Sequence, residues 1–149
     1  MHAKIAWLAV FFWMGLIFFF SHQPGQESAE LSSGITQLLH TVLTWPPFID
    51  FDIELLHTLV RKGAHFVVYL VLGILLLHAL RTSRVQIGKA VCFSWLISTV
   101  YAALDEYHQT FIPGRVGDPM DVVIDSAGAI TGIVIYLATV SLIRRKKRT

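Results

Sequence analysis

The stretch that decides the fold is VVIDSAGAITGIVIYLATVSLIRRKKR, residues 122–148. Val122–Ile143 is an apolar run with one charged residue, Asp125, and five basic residues follow it directly. The run has about the 17–25 residues that a helix needs to cross a bilayer, and short segments rich in Lys and Arg stay on the cytoplasmic side. We therefore predict a transmembrane helix whose C-terminal end is cytoplasmic.

Three further apolar runs precede this one, at Ile5–Phe20, Ala64–Leu80 and Ala90–Leu104. Charge separates between the two ends of these spans. Nine of the 12 Lys and Arg residues lie at one set of ends: Lys4, Arg81, Arg84, Lys89 and the tail 144–148. The ten Asp and Glu residues all lie in Ser21–Gly63, in Asp105–Asp121, or one turn inside the last span at Asp125. We predict an all-α, four-helix transmembrane bundle with both termini cytoplasmic.

Composition limits the class of protein. Hydrophobic residues make up 54% of the 149 residues and charged residues 15%, and the mean hydropathy is +0.61. These values suit one small membrane domain spanning 1–149. The basic pI of about 8.9 arises at ends that would meet anionic lipid headgroups, so we do not expect a nucleic-acid partner. The single Cys92 excludes a disulfide framework, and we expect it to pack inside the bundle.

The segment between the first two spans carries its own pattern. From Ser28, apolar residues recur at helical spacing opposite Gln37, which predicts an amphipathic helix that Ser28 caps and that lies on the outer leaflet. Trp45-Pro46-Pro47 should end this helix, because proline cannot continue it. Asp50 or Asp52 should then cap a helix that continues into the second span. The apolar positions are Ile35, Leu38, Leu39, Val42 and Leu43.

Ionisable residues of three spans lie at one predicted depth. His65, Asp105 and Asp125 are sixteen to nineteen residues along their helices from the nearest cytoplasmic Lys or Arg. At 1.5 Å per residue, this places all three about 24–28 Å from the cytoplasmic charges. Helical periodicity puts Arg61 and Tyr69 on the face of His65. About one turn further out than this layer are Arg61, Lys62, His108, Gln109 and Asp121.

The fourth span begins with a cap and continues with closely packing residues. Asp118-Pro119-Met120-Asp121 is typical of a helix start, with an aspartate N-cap and proline at the first position. Asp121 and Asp125 share a face with Gly128 and Gly132, whose spacing lets a neighbouring helix approach closely. We expect this approach to press both acids against the polar faces of other helices. Pro113-Gly114-Arg115 should form a tight turn that carries a cation.

Three blocks of residues stand in a specific order. They are FSHQPG at 20–25 with serines after it, RKGAHF at 61–66 with Tyr69 and Gly73, and YAALDEYHQ at 101–109, continuing through 113–115 to Asp118, Asp121, Asp125 and Gly128. In this combination the chain resembles the VanZ-like membrane proteins over nearly its whole length. His22 stands where many relatives have a second serine. The founding member is associated with teicoplanin resistance, so the resemblance implies a role in the cell envelope and in glycopeptide susceptibility.

We expect a polar pocket that opens to the outer leaflet and binds a membrane lipid or a lipid-linked cell-wall precursor. Arg61, Lys62 and Arg115 would meet anionic groups of the ligand. In the alternative, the protein is a metal-assisted enzyme that modifies a phospholipid or polyprenyl-phosphate headgroup. Its candidate catalytic residues are His65, Asp105, Glu106 and His108, and the candidate ligands of a divalent cation are Asp121 and Asp125. The predicted ligand-binding residues are Arg61, Lys62, His65, Tyr69, Asp105, Glu106, His108, Gln109, Arg115, Asp121 and Asp125.

Other interpretations of the polar residues compete with these. The charges could simply pair and hold the bundle together, since unpaired charges in a membrane are costly. At the predicted outer end of the spans, however, ten acids outnumber three cations, so pairing alone does not account for all the acids. A transporter would need polar residues deeper in the spans, where the second span offers only Tyr69 between His65 and His78. The chain also lacks the two histidines at i and i+4 of a helical zinc peptidase, so that class is not expected.

Charge segregation makes the topology testable. A phosphatase or fluorescent protein fused after Thr149 should report a cytoplasmic C-terminus. A cysteine introduced between Gln23 and Glu30 should react with a membrane-impermeant thiol reagent added to intact cells. Protection of that cysteine would contradict the outward orientation of the acidic segments.

Overall fold

The computed structural model describes residues 2–44 and 52–146 of the chain. Within these ranges the protein is all helical, which confirms the predicted fold class. Four helices are long and apolar enough to cross a membrane, as predicted: α1, α3, α4 and α5. The helices are α1 His2–Ser21, α2 Gly25–Leu43, α3 Ile53–Thr82, α4 Ile87–Gln109 and α5 Pro119–Lys146.

Two of the predicted aspartate caps are present. The Asp52 carboxylate accepts a hydrogen bond from the Glu54 N–H at 2.9 Å, and α3 then runs unbroken through the second span. The Asp118 carboxylate accepts from the Met120 N–H at 2.9 Å, and Pro119 is the first residue of α5. Each cap supplies an acceptor for an N–H group that the helix itself leaves unpaired.

The predicted cap of α2 is wrong. This helix begins at Gly25, and Ser28 lies in its first turn, where the Ser28 N–H donates to the Pro24 carbonyl. The Gly25 N–H donates to the Pro113 carbonyl at 3.1 Å, so the loop before α5 satisfies a donor at this helix end. The predicted stop at Trp45-Pro46-Pro47 and the alternative cap Asp50 lie outside the described residues.

Helix α3 contacts all four of the other helices, and its tightest contact is with α5. Gly128 and Gly132 of α5 lie against the Phe66 and Leu70 carbonyls of α3, and a Cβ at either glycine would overlap these oxygens. Gly73 of α3 lies equally close to Ala129 of α5. The predicted close approach at the Gly-x-x-x-Gly spacing is therefore confirmed, with α3 as the partner.

The bundle buries polar groups and exposes apolar ones. Ser94, Ser98 and several carboxylates are buried, whereas large apolar side chains on all four long helices are exposed. This arrangement suits a hydrocarbon surrounding, in which polar groups must be satisfied internally. Cys92 is exposed on α4, so the prediction that it packs inside is wrong. The packed face of α4 follows Ala90, Ser94, Ser98 and Ala102, and position 92 points away from it.

Helix α2 packs on α3 and leaves its apolar side uncovered. Thr36 is fully buried, while Ile35, Leu38 and Val42 are each more than half exposed. Ile35, Leu38 and Val42 of the predicted apolar face are therefore largely uncovered within the bundle. This exposure is what a helix at a lipid interface requires.

Replacing Gly132 with alanine should destabilise the bundle, because the added Cβ would meet the Leu70 carbonyl of α3. Overpacking of this kind costs about 1–3 kcal/mol. Gly63→Ala is the matched control, since it also lies in a helix, its added Cβ would meet open space, and the change should be neutral or stabilising. Thermal unfolding in detergent measures both variants. Equal melting temperatures would contradict the close packing of α3 and α5.

Candidate functional site

Four acids from two helices are buried at one end of the bundle. Asp105 and Glu106 come from α4, Asp121 and Asp125 from α5, and each is 5% exposed or less. We call these four residues the carboxylate cluster. Across from it, α3 supplies Arg61, Lys62 and His65 from its N-terminal half. The helix contact at the glycines thus brings acids and bases together within the bundle.

Asp121 is neutralised by two cations of α3. Arg61 Nη2 lies 3.2 Å from Asp121 Oδ2, and Lys62 Nζ lies 2.9 Å from Asp121 Oδ1. Lys62 also reaches Asp118 Oδ2 at 3.3 Å. The hydrogen bond from the Met120 N–H, with help from Lys62, holds the pKa of Asp118 below its usual value. Both oxygens of Asp121, one of the two predicted metal ligands, are therefore engaged with cations of α3.

One turn deeper, three residues from three helices meet. His65 Nδ1 lies 3.5 Å from Asp125 Oδ2, and potential ligand atoms of His65, Glu106 and Asp125 lie within 4.8 Å of one another. Glu106 Oε2 accepts from the Asp118 N–H at 2.9 Å. The other oxygens, Glu106 Oε1 and Asp125 Oδ1, are buried and have no hydrogen-bond partner among the described residues. We call His65, Glu106 and Asp125 the inner triad.

Asp105 turns toward α1 instead of the triad. Its Oδ2 lies 3.5 Å from Gln109 Nε2, which also donates to Ser21 Oγ at 3.0 Å. Tyr69 is 1% exposed, and its hydroxyl has no hydrogen-bond partner within the described part of the chain. Tyr101 donates to the Met14 carbonyl of α1 at 2.7 Å. These residues form a polar lining between α1, α3 and α4.

The structure places His108 away from the carboxylate cluster. Its Nε2 lies 3.2 Å from His22 Nδ1, and its ring stacks on Phe18 with the ring centroids 4.8 Å apart. On α4, position 108 points toward the C-terminal end of α1, whereas Glu106 points toward α5. His108 is thus joined to histidine and phenylalanine, and the structure does not bring it together with the other catalytic candidates.

Arg115 lies in the predicted tight turn. The Arg115 N–H donates to the Ile112 carbonyl at 3.1 Å, and Gly114 has the positive φ of 77° that such a turn requires of its glycine. The guanidinium donates to the carbonyls of Gln23 and Phe20, both at 2.9 Å. Burial lowers the pKa of Arg115 below its usual value. Arg115 therefore caps the C-terminal end of α1 while it faces the site.

A cavity of about 410 Å³ lies beside these residues, with walls from α1, α2, α3 and α4. Apolar side chains of Trp13, Leu16, Ile17, Phe20, Ile35, Val60, Ala64 and Val68 form one part of its lining. Polar side chains form the other part: Ser21, Gln23, Ser28, Ser32, Arg61, His65, Tyr69, Asp105, Gln109 and Arg115. Lys62, Glu106, His108, Asp121 and Asp125, also expected as ligand-binding residues, are not in this lining.

Sequence reasoning missed the contribution of the first two helices to the cavity. Ser21, Ser28 and Ser32 line it, whereas the predicted site drew only on residues of the last three spans and the loop between them. One sequence feature pointed to them, because the first block of the family resemblance carries a serine-rich stretch. Its role could not be assigned without knowing that α2 folds back over α3.

The fold and the buried ionisable cluster define a polytopic α-helical membrane protein with a polar site among its spans. A family model described as VanZ/LLP1 matches residues 6–143. The chain belongs to the VanZ/LLP1 family, which confirms the resemblance seen in its sequence blocks. Neither the curated proteins nor the solved structures yield a significant match to the chain.

Removing the charge of Asp121 should destabilise the protein more than removing that of Asp118. Asp121→Asn leaves Arg61 and Lys62 beside a neutral buried group. We expect the free energy of unfolding to fall by more than the about 1 kcal/mol that an exposed ion pair contributes, and by less than the roughly 3–5 kcal/mol that is lost when a buried pair is broken. Asp118→Asn is the matched control, because asparagine caps a helix as well as aspartate. Unfolding in detergent, with Lys62→Met completing a double-mutant cycle, gives the coupling. Equal losses for the two asparagine variants would contradict the pairing.

Proposed function

We propose that the protein resides in the bacterial cytoplasmic membrane with both termini in the cytoplasm and the carboxylate cluster toward the outer leaflet. The segregation of charge supports this orientation. Lys4, Arg81, Arg84, Lys89 and Arg144 all belong to the opposite end of the four long helices from the cluster. Basic residues are retained on the cytoplasmic side of a membrane.

The proposed activity is binding of an anionic lipid or lipid-linked headgroup in the cavity. The observation that carries this proposal is the mixed lining, in which apolar side chains of α1, α2 and α3 stand together with polar groups that include Arg61, Gln109 and Arg115. Such a lining matches an amphiphile, whose hydrocarbon chain needs apolar walls and whose headgroup needs hydrogen bonds. A phosphate-bearing headgroup from a phospholipid or a polyprenyl phosphate fits this description.

Arg61 is the residue best placed to meet such an anion. Its side chain is 57% exposed and lines the cavity, and among the described residues it reaches an acid through Nη2 alone, at Asp121. A guanidinium presents several N–H groups in a planar fork that suits phosphate oxygens. Arg61 therefore has donors left for a headgroup while Asp121 keeps the side chain oriented.

The proposed consequence is a change in how lipid-linked cell-wall precursors are presented at the outer leaflet. Occupancy or sequestration of a lipid headgroup there would alter susceptibility to glycopeptides of the teicoplanin type, with which the resemblance associates the family's founding member. Family membership supports this context. No turnover of the lipid is needed for such an effect.

A second candidate function is a metal-assisted enzyme acting on the same headgroup. The position of His65 favours it, because this residue both lines the cavity and contacts the buried Asp125. Asp105 also lines the cavity, and Glu106 lies beside His65 within the inner triad. General acid–base or metal chemistry would then be available next to a bound phosphate.

Headgroup binding is testable with Arg61→Gln. Loss of a hydrogen bond to a charged group is worth about 1.5–3 kcal/mol, so affinity for phosphatidylglycerol or undecaprenyl phosphate should fall by about 10- to 100-fold. Arg84→Gln, at the other end of the bundle, is the matched control and should bind as the wild type does. Native mass spectrometry and titration of purified protein in neutral nanodiscs measure the affinities.

A cavity-filling variant separates shape from charge in the same assay. Ala64→Phe places a large side chain in the apolar part of the lining and should weaken lipid binding without changing a charge. Cells carrying Arg61→Gln or Ala64→Phe at normal protein abundance should lose the effect on teicoplanin tolerance. Unchanged lipid affinity in both variants would contradict the proposed site, and turnover of the lipid would support the enzyme instead.

A further inference from the structure

The inner triad carries more negative charge than its surroundings balance. Arg61 and Lys62 both reach Asp121, so these two cations are committed one turn away from Glu106 and Asp125. Within the triad, the group facing the two carboxylates is the single imidazole of His65, which can carry at most one positive charge. Two acids therefore share a buried space without a matching pair of cations among the described residues.

Two oxygens of the triad mark where compensation is needed. Asp125 is 0% exposed and Glu106 is 5% exposed, and one oxygen of each has no hydrogen-bond partner among the described residues. A buried carboxylate without a partner costs several kcal/mol, which a protein avoids by pairing, by protonation or by binding a cation. The unpaired oxygens belong to residues whose ligand atoms already converge.

We propose that His65, Glu106 and Asp125 bind one divalent first-row metal ion, of the class of Mn²⁺ or Zn²⁺. Their potential ligand atoms lie within 4.8 Å of one another. Neighbouring ligands of one ion at about 2.0–2.2 Å lie about 3–3.6 Å apart, so the most widely separated of the three groups must approach one another by about 1 Å to complete the set. Two carboxylates also match the charge of a divalent ion, and one imidazole with two carboxylates suits Mn²⁺ or Zn²⁺ better than Ca²⁺.

The surrounding contacts hold the ligands as an ion site requires. Glu106 accepts from the Asp118 N–H at 2.9 Å through its second oxygen, which fixes the carboxylate at the start of α5. The three ligands come from α3, α4 and α5, so the ion joins helices that are distant in sequence. Three protein ligands leave coordination positions open, and His65 places the ion next to the cavity.

This set differs from the pair Asp121 and Asp125 that the sequence suggested. In this set His65 is a ligand. Glu106 lies beside Asp125, which helical spacing could not predict because the two residues belong to different helices. Ion binding does not depend on the proposed headgroup binding, because the three ligands are sufficient without a lipid. An anionic headgroup in the cavity could nonetheless complete the coordination with a phosphate oxygen.

Metal titration of the purified protein tests the proposal. The full chain, freed of any histidine tag, is placed in phosphatidylcholine nanodiscs, treated with chelator and dialysed. Added Mn²⁺, followed by the loss of the free-ion electron paramagnetic resonance signal, should bind at one ion per chain, and Zn²⁺ should compete for the same site. The melting temperature of the wild type should rise with ion concentration.

Glu106→Gln and Asp125→Asn should each weaken Mn²⁺ binding by at least about 10- to 100-fold. Loss of a group that merely hydrogen-bonds to a metal ligand already has an effect of this size. Asp105→Asn is the matched control, since it removes a buried carboxylate adjacent to Glu106 that is not part of the triad and should keep the affinity. If Glu106→Gln fails to fold, Glu106→His is the variant to use. It supplies a replacement ligand and should retain binding of Zn²⁺ in preference to Mn²⁺.

Wild-type protein that binds no ion at millimolar Mn²⁺ or Zn²⁺ would overturn the proposal and would indicate that the carboxylates share a proton instead. Binding that survives Glu106→Gln and Asp125→Asn, or that is lost equally in Asp105→Asn, would also overturn it. Arg61→Gln separates this inference from the lipid proposal, because it should weaken headgroup binding while the ion remains bound.

Discussion

The contact of α3 with α5 at Gly128 and Gly132 is the constraint on which the rest of the structure depends. With no side chain between them, the α5 glycines meet the carbonyls of Phe66 and Leu70 directly. Toward the N-terminal end of α5, the geometry of the two packed helices then fixes which residues face one another. Lys62 meets Asp121, and His65 meets Asp125 one turn below. Close packing of small residues, which drives association where there is no water to exclude, thus also assembles the ionisable groups.

Burying several carboxylates near a membrane interior is costly, and each is compensated differently. Asp121 has two cations, Glu106 has a backbone N–H of the next helix, and Asp105 has Gln109. These differences divide the carboxylate cluster into two parts. The outer part is Asp121, both of whose oxygens are paired, and the inner part is Glu106 and Asp125, each of which has one oxygen without a partner among the described residues. The outer part joins α5 to α3 through ion pairs, whereas these two oxygens of the inner part are buried. A purely structural role would explain the outer part and leave the inner oxygens unexplained.

The cavity and the triad share His65, and this connects the two proposals for function. The cavity lining combines apolar with polar side chains, as an amphiphile requires, and the polar ones include the imidazole that contacts Asp125. Arg115, which also lines the cavity, donates to the Phe20 carbonyl of α1 and to the Gln23 carbonyl just after this helix, so the loop before α5 holds the end of the first helix in position. Headgroup recognition and ion binding would therefore occur on neighbouring surfaces of one site.

The sequence by itself determined the four spans, the cap Asp118 and the turn at Gly114, because each depends on residues close together in the chain, and it limited the cap of α3 to Asp50 or Asp52. It indicated the family through three blocks in a fixed order. It also placed His65 and Asp125 at one depth, since a helix has a constant rise per residue. The tertiary structure alone decided which depth-matched residues meet. The rotation of each helix about its own axis depends on packing between helices. This rotation places Glu106 in the inner triad, Asp121 beside two cations and His108 beside His22. Likewise, only the folding of α2 over α3 could show that serines of the first two helices line the cavity.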